Sequence, residues 1–405
     1  MKPLLVSNFT VTSCLGQGLR QTLDALIQGR QGLKPCDFET ADLETFIGEV
    51  NGVNEVKMTV DLTDYNCRNN RLAQLGLQQD GFDDAVRIAS EKYGADRIGV
   101  FIGTSTAGIL ETEIAFRHRD AISGALPASF VYSKTQNTYS VADFTRQYFK
   151  FTGPAMAVSS ACSSSAKVFS VARRMIEAGL IDAAVVGGVD TLCLTTLYGF
   201  NSLGLLSSQA CRPYDTVRDG ISIGEAAAFA LLEKVPANLK PDDVLLLGVG
   251  ESSDAYHMSS PHPEGLGARL AMQQALQSAG LAANEIDYIN LHGTATPSND
   301  AAEAKAVVAV FGNDTPPCSS SKGATGHTLG AAGAVEAVIS ALALRHGFIP
   351  GGLNTSHVDP LLNLNYQLSN HPQALSYVMS NSFGFGGTNC SLVFGLAKMK
   401  GVSDA

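Results

Sequence analysis

Short apolar runs alternate with helical periodicities along all 405 residues, and this alternation constrains the fold more than any other feature of the chain. Runs at 97–102, 183–189, 226–232 and 244–249 are almost continuously apolar, as expected of central strands covered on both faces. Further strand-like runs lie at 155–158, 286–291, 375–381 and 390–394. Between them, 164–178 places Val168, Val171, Ala172, Met175 and Ile176 on one helical face, with Gly179 as a stop. Asp300-Ala-Ala-Glu303 reads as a capping box opening a helix that runs to Phe311. The segment 330–345 is an Ala-rich helix carrying Val335, Val338, Ile339 and Leu342, ended by Gly347. A strand–Ser-Ser–loop–helix unit recurs at 158–178 and 317–344, on either side of the Pro/Lys/Asp segment 236–243. Single cores stop growing near roughly 250–300 residues. The chain is therefore expected to be an α/β duplication, with one half over 1–243 and the other over 244–405.

Composition narrows the function classes. Apolar residues make up 45% and charged residues 16%, too apolar for a disordered chain. A net charge of −10 argues against a nucleic-acid backbone as ligand. The apolar runs at 226–232 and 244–249 fall far short of the ~20 residues of a membrane span, and the apolar start ends after Val6, short for a signal peptide. The eight cysteines show neither C-x-x-C nor metal-ligand spacing with histidine, so no metal site is expected and a reduced, cytoplasmic setting is.

Four segments carry candidate chemistry. Cys162, in Ser-Ser-Ala-Cys-Ser-Ser-Ser, follows a strand and opens a helix, where the helix dipole favours a thiolate and a lowered pKa. Taken alone it is equally a buried thiol at a tight turn; Cys318 is the nearest comparison. His292 stands where an apolar strand runs into a Gly/Thr/Pro/Ser loop, the edge at which α/β sheets bind ligands, though a loop histidine satisfied by a carbonyl would look the same. His327 lies in a run of small residues with Lys322 before it and Glu336 after it, in an apolar helix where an unpaired carboxylate would be costly. A phosphate cradle is not indicated, because Lys322 precedes the glycines instead of following them. Last, Asn381-Ser-Phe-Gly-Phe-Gly-Gly-Thr-Asn389 places Phe385 among Gly384, Gly386 and Gly387, a setting that suits a hinge as well as a tight β connection.

Together, in this order and spacing, the four segments resemble an elongating β-ketoacyl-(acyl carrier protein) synthase over nearly the whole chain, residues 4–395. The resemblance implies a thiolase-like duplicated fold in five layers, αβαβα. It implies decarboxylative Claisen condensation in fatty acid, polyene or polyketide elongation. Cys162 would accept the acyl chain, His292 and His327 would hold the malonyl thioester, and Lys322 with Glu336 would support the imidazoles. The N–H groups of Cys162 and Phe385 would form a second oxyanion hole, and Phe385 would gate it. Thr294 and Thr296 would bind pantetheine, a loop from Asp254 to Ser259 would move with the Phe385 loop, and Thr106 would lie at the acyl pocket floor, admitting medium or long chains, unsaturated ones included. No resident cofactor is implied, since phosphopantetheine arrives on the carrier.

The implied partners are acyl carrier protein and a second subunit, either a copy of the chain or a ketosynthase-like chain-length factor. Carriers are acidic, so Arg68 and Arg71 would form the docking patch, with Arg117 and Arg119 as further candidates; the segment 124–132 has no positive charge. Three alternatives have sequence discriminators. A thiolase needs a second cysteine in a Cys-x-Gly setting, and Cys390 sits in Asn-Cys-Ser-Leu. A non-catalytic chain-length factor lacks the nucleophile, which is present here. A cysteine hydrolase would leave the second histidine and Lys322 without a purpose.

Overall fold

Ten strands of the main sheet, numbered along the chain, fall into two sets of five. The first set is β1 (Leu4–Ser13), β2 (Ile98–Gly103), β3 (Ala155–Val158), β4 (Ala183–Asp190) and β5 (Ala226–Lys234). The second is β6 (Val244–Ser253), β7 (Tyr288–Asn290), β8 (Cys318–Ser319), β9 (Tyr377–Gly384) and β10 (Thr388–Leu396). The computed structural model describes residues 1–397; the end of the expected 244–405 half, residues 398–405, lies outside the described residues.

The two sets repeat one pairing scheme. In the first, β1–β5 and β5–β4 are antiparallel, while β4–β2 and β2–β3 are parallel. In the second, β6–β10 and β10–β9 are antiparallel, while β9–β7 and β7–β8 are parallel. The two sets join through a short antiparallel contact of Leu4–Val6 with Val244–Leu246. The change-over from one copy to the next falls between Lys234 and Val244. Strand β3 is at one end of this order and β8 at the other.

Helices complete five layers. Helices α1 (Arg68–Leu77), α2 (Phe82–Tyr93) and α3 (Ser140–Tyr148) cover the outer face of the first set. Helix α4 (Ser164–Glu177) lies between the sets, α5 (Leu266–Ala279) and α6 (Pro297–Phe311) cover the outer face of the second, and α7 (Ala332–His346) joins α4 in the middle. Strand periodicity sorts the side chains: Ala184 and Val186 of β4 face the central helices, whereas Ala183, Val185 and Val189 face α1–α3. This is the thiolase-like fold, with the site-bearing loops at the strand ends beside α4 and α7.

Two helix starts differ from expectation. Helix α6 opens at Pro297 with the Thr296 hydroxyl accepting the Asn299 N–H, so Asp300 and Glu303 are not its cap and are free for other partners. Helix α7 starts at Ala332, after a 3-10 turn at Leu329–Ala331. The stretch Leu329–His346, longer than the apolar runs at 226–232 and 244–249, is long and apolar enough to cross a membrane, and it is 89% buried as part of the central layer.

Candidate active site

Cys162, His292 and His327 converge on one buried point from three segments. Cys162 sits between β3 and α4, with Ala161 in a left-handed conformation (φ 53°) that turns the chain sharply before it. Gly188 on β4 permits the close approach of α4: a Cβ there would lie 2.5 Å from Ser165 Cβ and 2.8 Å from Ala331 Cα. His292 follows β7, and His327 lies between β8 and α7. The ligating atoms of the three lie within 4.8 Å of one another, and His327 Nε2 is 3.1 Å from Cys162 Sγ. The imidazole rings stand nearly perpendicular, with centroids 5.4 Å apart.

Hydrogen-bond partners assign the tautomers. The Leu329 N–H donates to His327 Nδ1 (3.1 Å). Lys322 Nζ, which can only donate, lies 3.3 Å from His292 Nδ1. Both Nδ1 atoms are thus acceptors, and both Nε2 atoms carry the proton towards the cavity. Burial and the neighbouring Lys322 ammonium hold both imidazole pKa values well below the usual 6.5, so both rings are neutral. The same facts answer whether this Cys–His–His group fits a metal ion. A ligating histidine offers a bare nitrogen and donates its other N–H to an acceptor. Here the second nitrogens face donors, so the donor set does not fit.

Lys322 is completely enclosed. Its ammonium donates to the Glu336 carboxylate and to the His292 carbonyl. Both side chains of the pair are 2% exposed. Burial pushes the Glu336 carboxyl upward while Lys322 pulls it back. Two acids that the sequence reading assigned to capping belong to this site. Glu303 accepts the N–H groups of His292 and Gly293 (2.8 Å each) and the Tyr214 hydroxyl (2.9 Å). Asp300 accepts the N–H of Thr294 (3.0 Å) and of Tyr214 (2.8 Å). Their spacing was the available signal: two carboxylates at i and i+3 on an apolar helix, eight and eleven residues after His292, face one way and back towards the strand end.

The sulfur departs from expectation. Helix α4 begins two residues beyond Cys162, and burial pushes the thiol up to about 11, against the pull of Lys322 and of the Phe385 N–H that faces the sulfur. Desolvation outweighs the helix terminus. Cys318, the comparison thiol, is pushed higher still, by burial and Glu303, with no cation beside it.

An open-mouthed cavity of about 580 Å³ leads to these groups. Thr294, Thr296, Asp254, Gly384 and Phe385 line it alongside the three reactive residues. The Thr294 and Thr296 hydroxyls are 2.8 Å apart, across the left-handed Ala295 (φ 65°). The Phe385 ring packs on Phe200, with centroids 5.6 Å apart. Its loop and the Asp254 loop are tied together: Gly386 N–H donates to Met258 O, Asp254 N–H to Gly387 O (both 2.8 Å), and Asn389 Nδ2 to Asp254 Oδ1 (2.7 Å). Gly386 and Gly387 take φ of 78° and 71°, which side chains rarely adopt.

Two expected placements need correction, those of Arg68 and Thr106. Arg68 is 2% exposed, and its guanidinium donates to Glu225, Glu49 and Asn54 inside the first half. An arginine enclosed by carboxylates cannot greet an acidic carrier. Arg71 is half-buried, held by Asn66 (2.8 Å). Thr106 does not line the cavity; its hydroxyl donates to Asp190 (2.9 Å) and accepts the Thr191 N–H (3.1 Å).

Fold and site together define a condensing enzyme of the thiolase-like class, with a buried thiol facing two neutral imidazoles. Comparison with known proteins gives the family. The β-ketoacyl synthase N-terminal domain matches residues 1–237 and the C-terminal domain residues 244–356. The mitochondrial 3-oxoacyl-[acyl-carrier-protein] synthase of Arabidopsis thaliana is 32% identical over 96% of this chain and 92% of its own length. The 3-oxoacyl-[acyl-carrier-protein] synthase 2 of Coxiella burnetii is likewise 32% identical, over 96% and 97%. A ketosynthase from Xenorhabdus doucetiae, solved in complex with its chain length factor, superimposes with a TM-score of 0.88 at 38% identity, covering 98% of both chains. The chain belongs to the β-ketoacyl synthase family and is a β-ketoacyl-acyl carrier protein synthase, an acyltransferase.

Proposed function

We propose that Cys162 carries the growing acyl chain and that His292 and His327 together hold the enolate made by malonyl decarboxylation. One observation carries this reading: both Nδ1 atoms face donors, so two Nε2–H groups point at one place beside the sulfur. Acyl transfer from the carrier forms the Cys162 thioester and breaks the pantetheine thioester. The Cys162 proton ends on the departing thiol, so a high thiol pKa is tolerable because thiolate exists only in passing. In malonyl-carrier the bond from the carboxylate to the α-carbon then breaks and carbon dioxide leaves. The electron pair becomes an enolate, whose oxygen accepts the two Nε2–H bonds. The enolate carbon attacks the Cys162 thioester, whose oxyanion meets the Cys162 and Phe385 N–H groups; collapse breaks the C–S bond and expels the Cys162 thiolate, which takes a proton from water to restore the thiol. The substrates bring phosphopantetheine to the site on the carrier.

The partner reading is a heterodimer with a chain-length-factor-like homologue, acting on medium or long chains, unsaturated ones included. Support comes from the edge strand β3, four residues before Cys162, which ends the sheet order and leaves Met156 43% exposed. It comes also from the Xenorhabdus doucetiae pair and from the ishigamide ketosynthase/chain length factor, 27% identical with a TM-score of 0.87. Intact mass spectrometry of the complex with a panel of acyl-carriers tests both parts. Cys162 gains one acyl group, longer chains load best, and native mass gives a one-to-one heterodimer. Strict loading of two to four carbons refutes the chain-length part, and a stable active homodimer refutes the pairing.

A further inference from the structure

Asp190, at the end of β4, is fully buried and has six donors aimed at its carboxylate, none of them charged. Oδ1 accepts the Thr104 hydroxyl (2.7 Å), the Ser105 N–H (2.8 Å), and the Thr106 N–H and hydroxyl (2.9 Å each). Oδ2 accepts the Ser105 hydroxyl and the Gly330 N–H, both at 2.5 Å. The Gly330 contact leaves no room for a side chain: a Cβ there would lie 2.8 Å from Asp190 Oδ2 and 2.9 Å from Ser105 N.

Gly330 is one residue from Leu329, which is left-handed at φ 54°, an uncommon state for a leucine. That turn aims the Leu329 N–H at His327 Nδ1. The His327 backbone is fixed separately, through Ser222 O and the Gly224 N–H. The imidazole therefore depends on the Leu329–Gly330 turn for its tautomer, and the turn depends on Asp190.

We propose that Asp190 is a positioning residue for the reaction: by gripping Gly330 it holds the 327–330 turn in the one shape that keeps His327 as an Nε2–H donor above Cys162. It touches neither substrate nor sulfur. Its charge has a second consequence, because the nearby anion is one of the influences that keep the Cys162 thiol high. Removing the anion should ease thiolate formation while spoiling the imidazole, so two activities of one site should move in opposite directions.

The proposal rests on the decarboxylating role assigned to His327, and the test separates the two. The wild-type complex must first release carbon dioxide from malonyl-carrier; failure there removes the enzymatic role of His327, not the grip of Asp190. In Asp190→Asn, release falls by roughly 10²-fold, what one lost oxyanion donor costs. Iodoacetamide meanwhile labels Cys162 at least as fast as in wild type. A loosened fold would also expose the buried Cys162 and speed alkylation, so the His327 tautomer separates the two cases. Long-range proton–nitrogen NMR of His327 gives a readout independent of turnover: one Nε2–H tautomer in wild type, a mixture in the variant. Ser105→Ala removes one hydroxyl from Oδ2 at a half-buried position and keeps the test available if Asp190→Asn does not fold. Its release falls about threefold, as for one neutral hydrogen bond, with the tautomer shifted the same way. An unchanged His327 tautomer in either folded variant overturns the proposal, as does release within about twofold of wild type in Asp190→Asn.

Discussion

The two halves share one topology and carry different chemistry. Each has a strand–loop–helix passage into the central layer. In the first half it runs from β3 through Cys162 to α4, and in the second from β8 through Lys322 and His327 to α7. Each also has a loop after its central parallel strand. After β7 that loop supplies His292, Thr294 and Thr296; after β2 it is Thr104-Ser105-Thr106, turned inward onto Asp190. Duplication gave two equivalent sets of loop ends facing one seam. The first copy holds the Cys162 sulfur on a rigid support, the second the two imidazoles with a buried cation behind them. Neither half alone holds both the Cys162 sulfur and the two imidazoles.

The largest expected effect separates the halves outright. Cys162→Ala removes the contribution of the first half and should lower condensation by roughly 10⁴-fold or more, yet leave decarboxylation of malonyl-carrier measurable, because the donors of the second half remain. Carbon dioxide release and product formation, followed together, decide it; persistent condensation would break the division. The reciprocal change is His292→Ala or His327→Ala. Each should cut decarboxylation by about 10²–10³-fold while Cys162 still gains an acyl mass. Loss of acylation in these variants would mean that the halves share one task.

Each half also contains a buried ion pair, and their difference sharpens the comparison. Arg68–Glu225 lies within the first half, away from the cavity lining; Lys322–Glu336 lies directly behind His292. Breaking either leaves a stranded charge and should cost about 3–5 kcal/mol in urea unfolding. Arg68→Ala should act on stability alone, with turnover per folded molecule kept. Glu336→Gln should lose both, because Lys322 orients His292. Equal turnover losses would mean that Arg68 reaches the site.

Much of this division was legible in the sequence, and the parts that were not have a common cause. Cys162, His292 and His327 are each ambiguous alone, and the four segments in their order and spacing are what carry them. The repeat on either side of 236–243 foretold the duplication. What escaped depends on contacts far apart in sequence. Asp300 and Glu303 looked like a cap until Thr296 was seen in that place. Arg68 looked like surface until Glu225, 157 residues away, enclosed it. The Cys162 thiol looked acidified by its helix until burial reversed the sign. A helix terminus is a local feature and desolvation is not, so a reading along the chain sees the weaker effect first.

The smallest expected effect is a missing inflection, and it tests the electrostatics of the second half directly. With both imidazole pKa values well below 6.5, the neutral donor pair survives as pH falls through the range where an ordinary histidine takes up a proton. Decarboxylation by Cys162→Ala, measured between pH 7.5 and 5.5, should therefore change by less than about twofold; each imidazole of ordinary pKa would cost about tenfold over those two units, about a hundredfold for the pair. Stability should behave oppositely. The unfolded chain binds protons at these two histidines below about 6.5 and the folded chain does not, so their effect is to lower unfolding free energy as pH drops through that value. A half-reaction rate that stays flat while stability declines identifies buried neutral donors. A rate that falls in step with ordinary histidine titration would place water or a counter-charge beside the rings, and the two-donor account of the second half would fail.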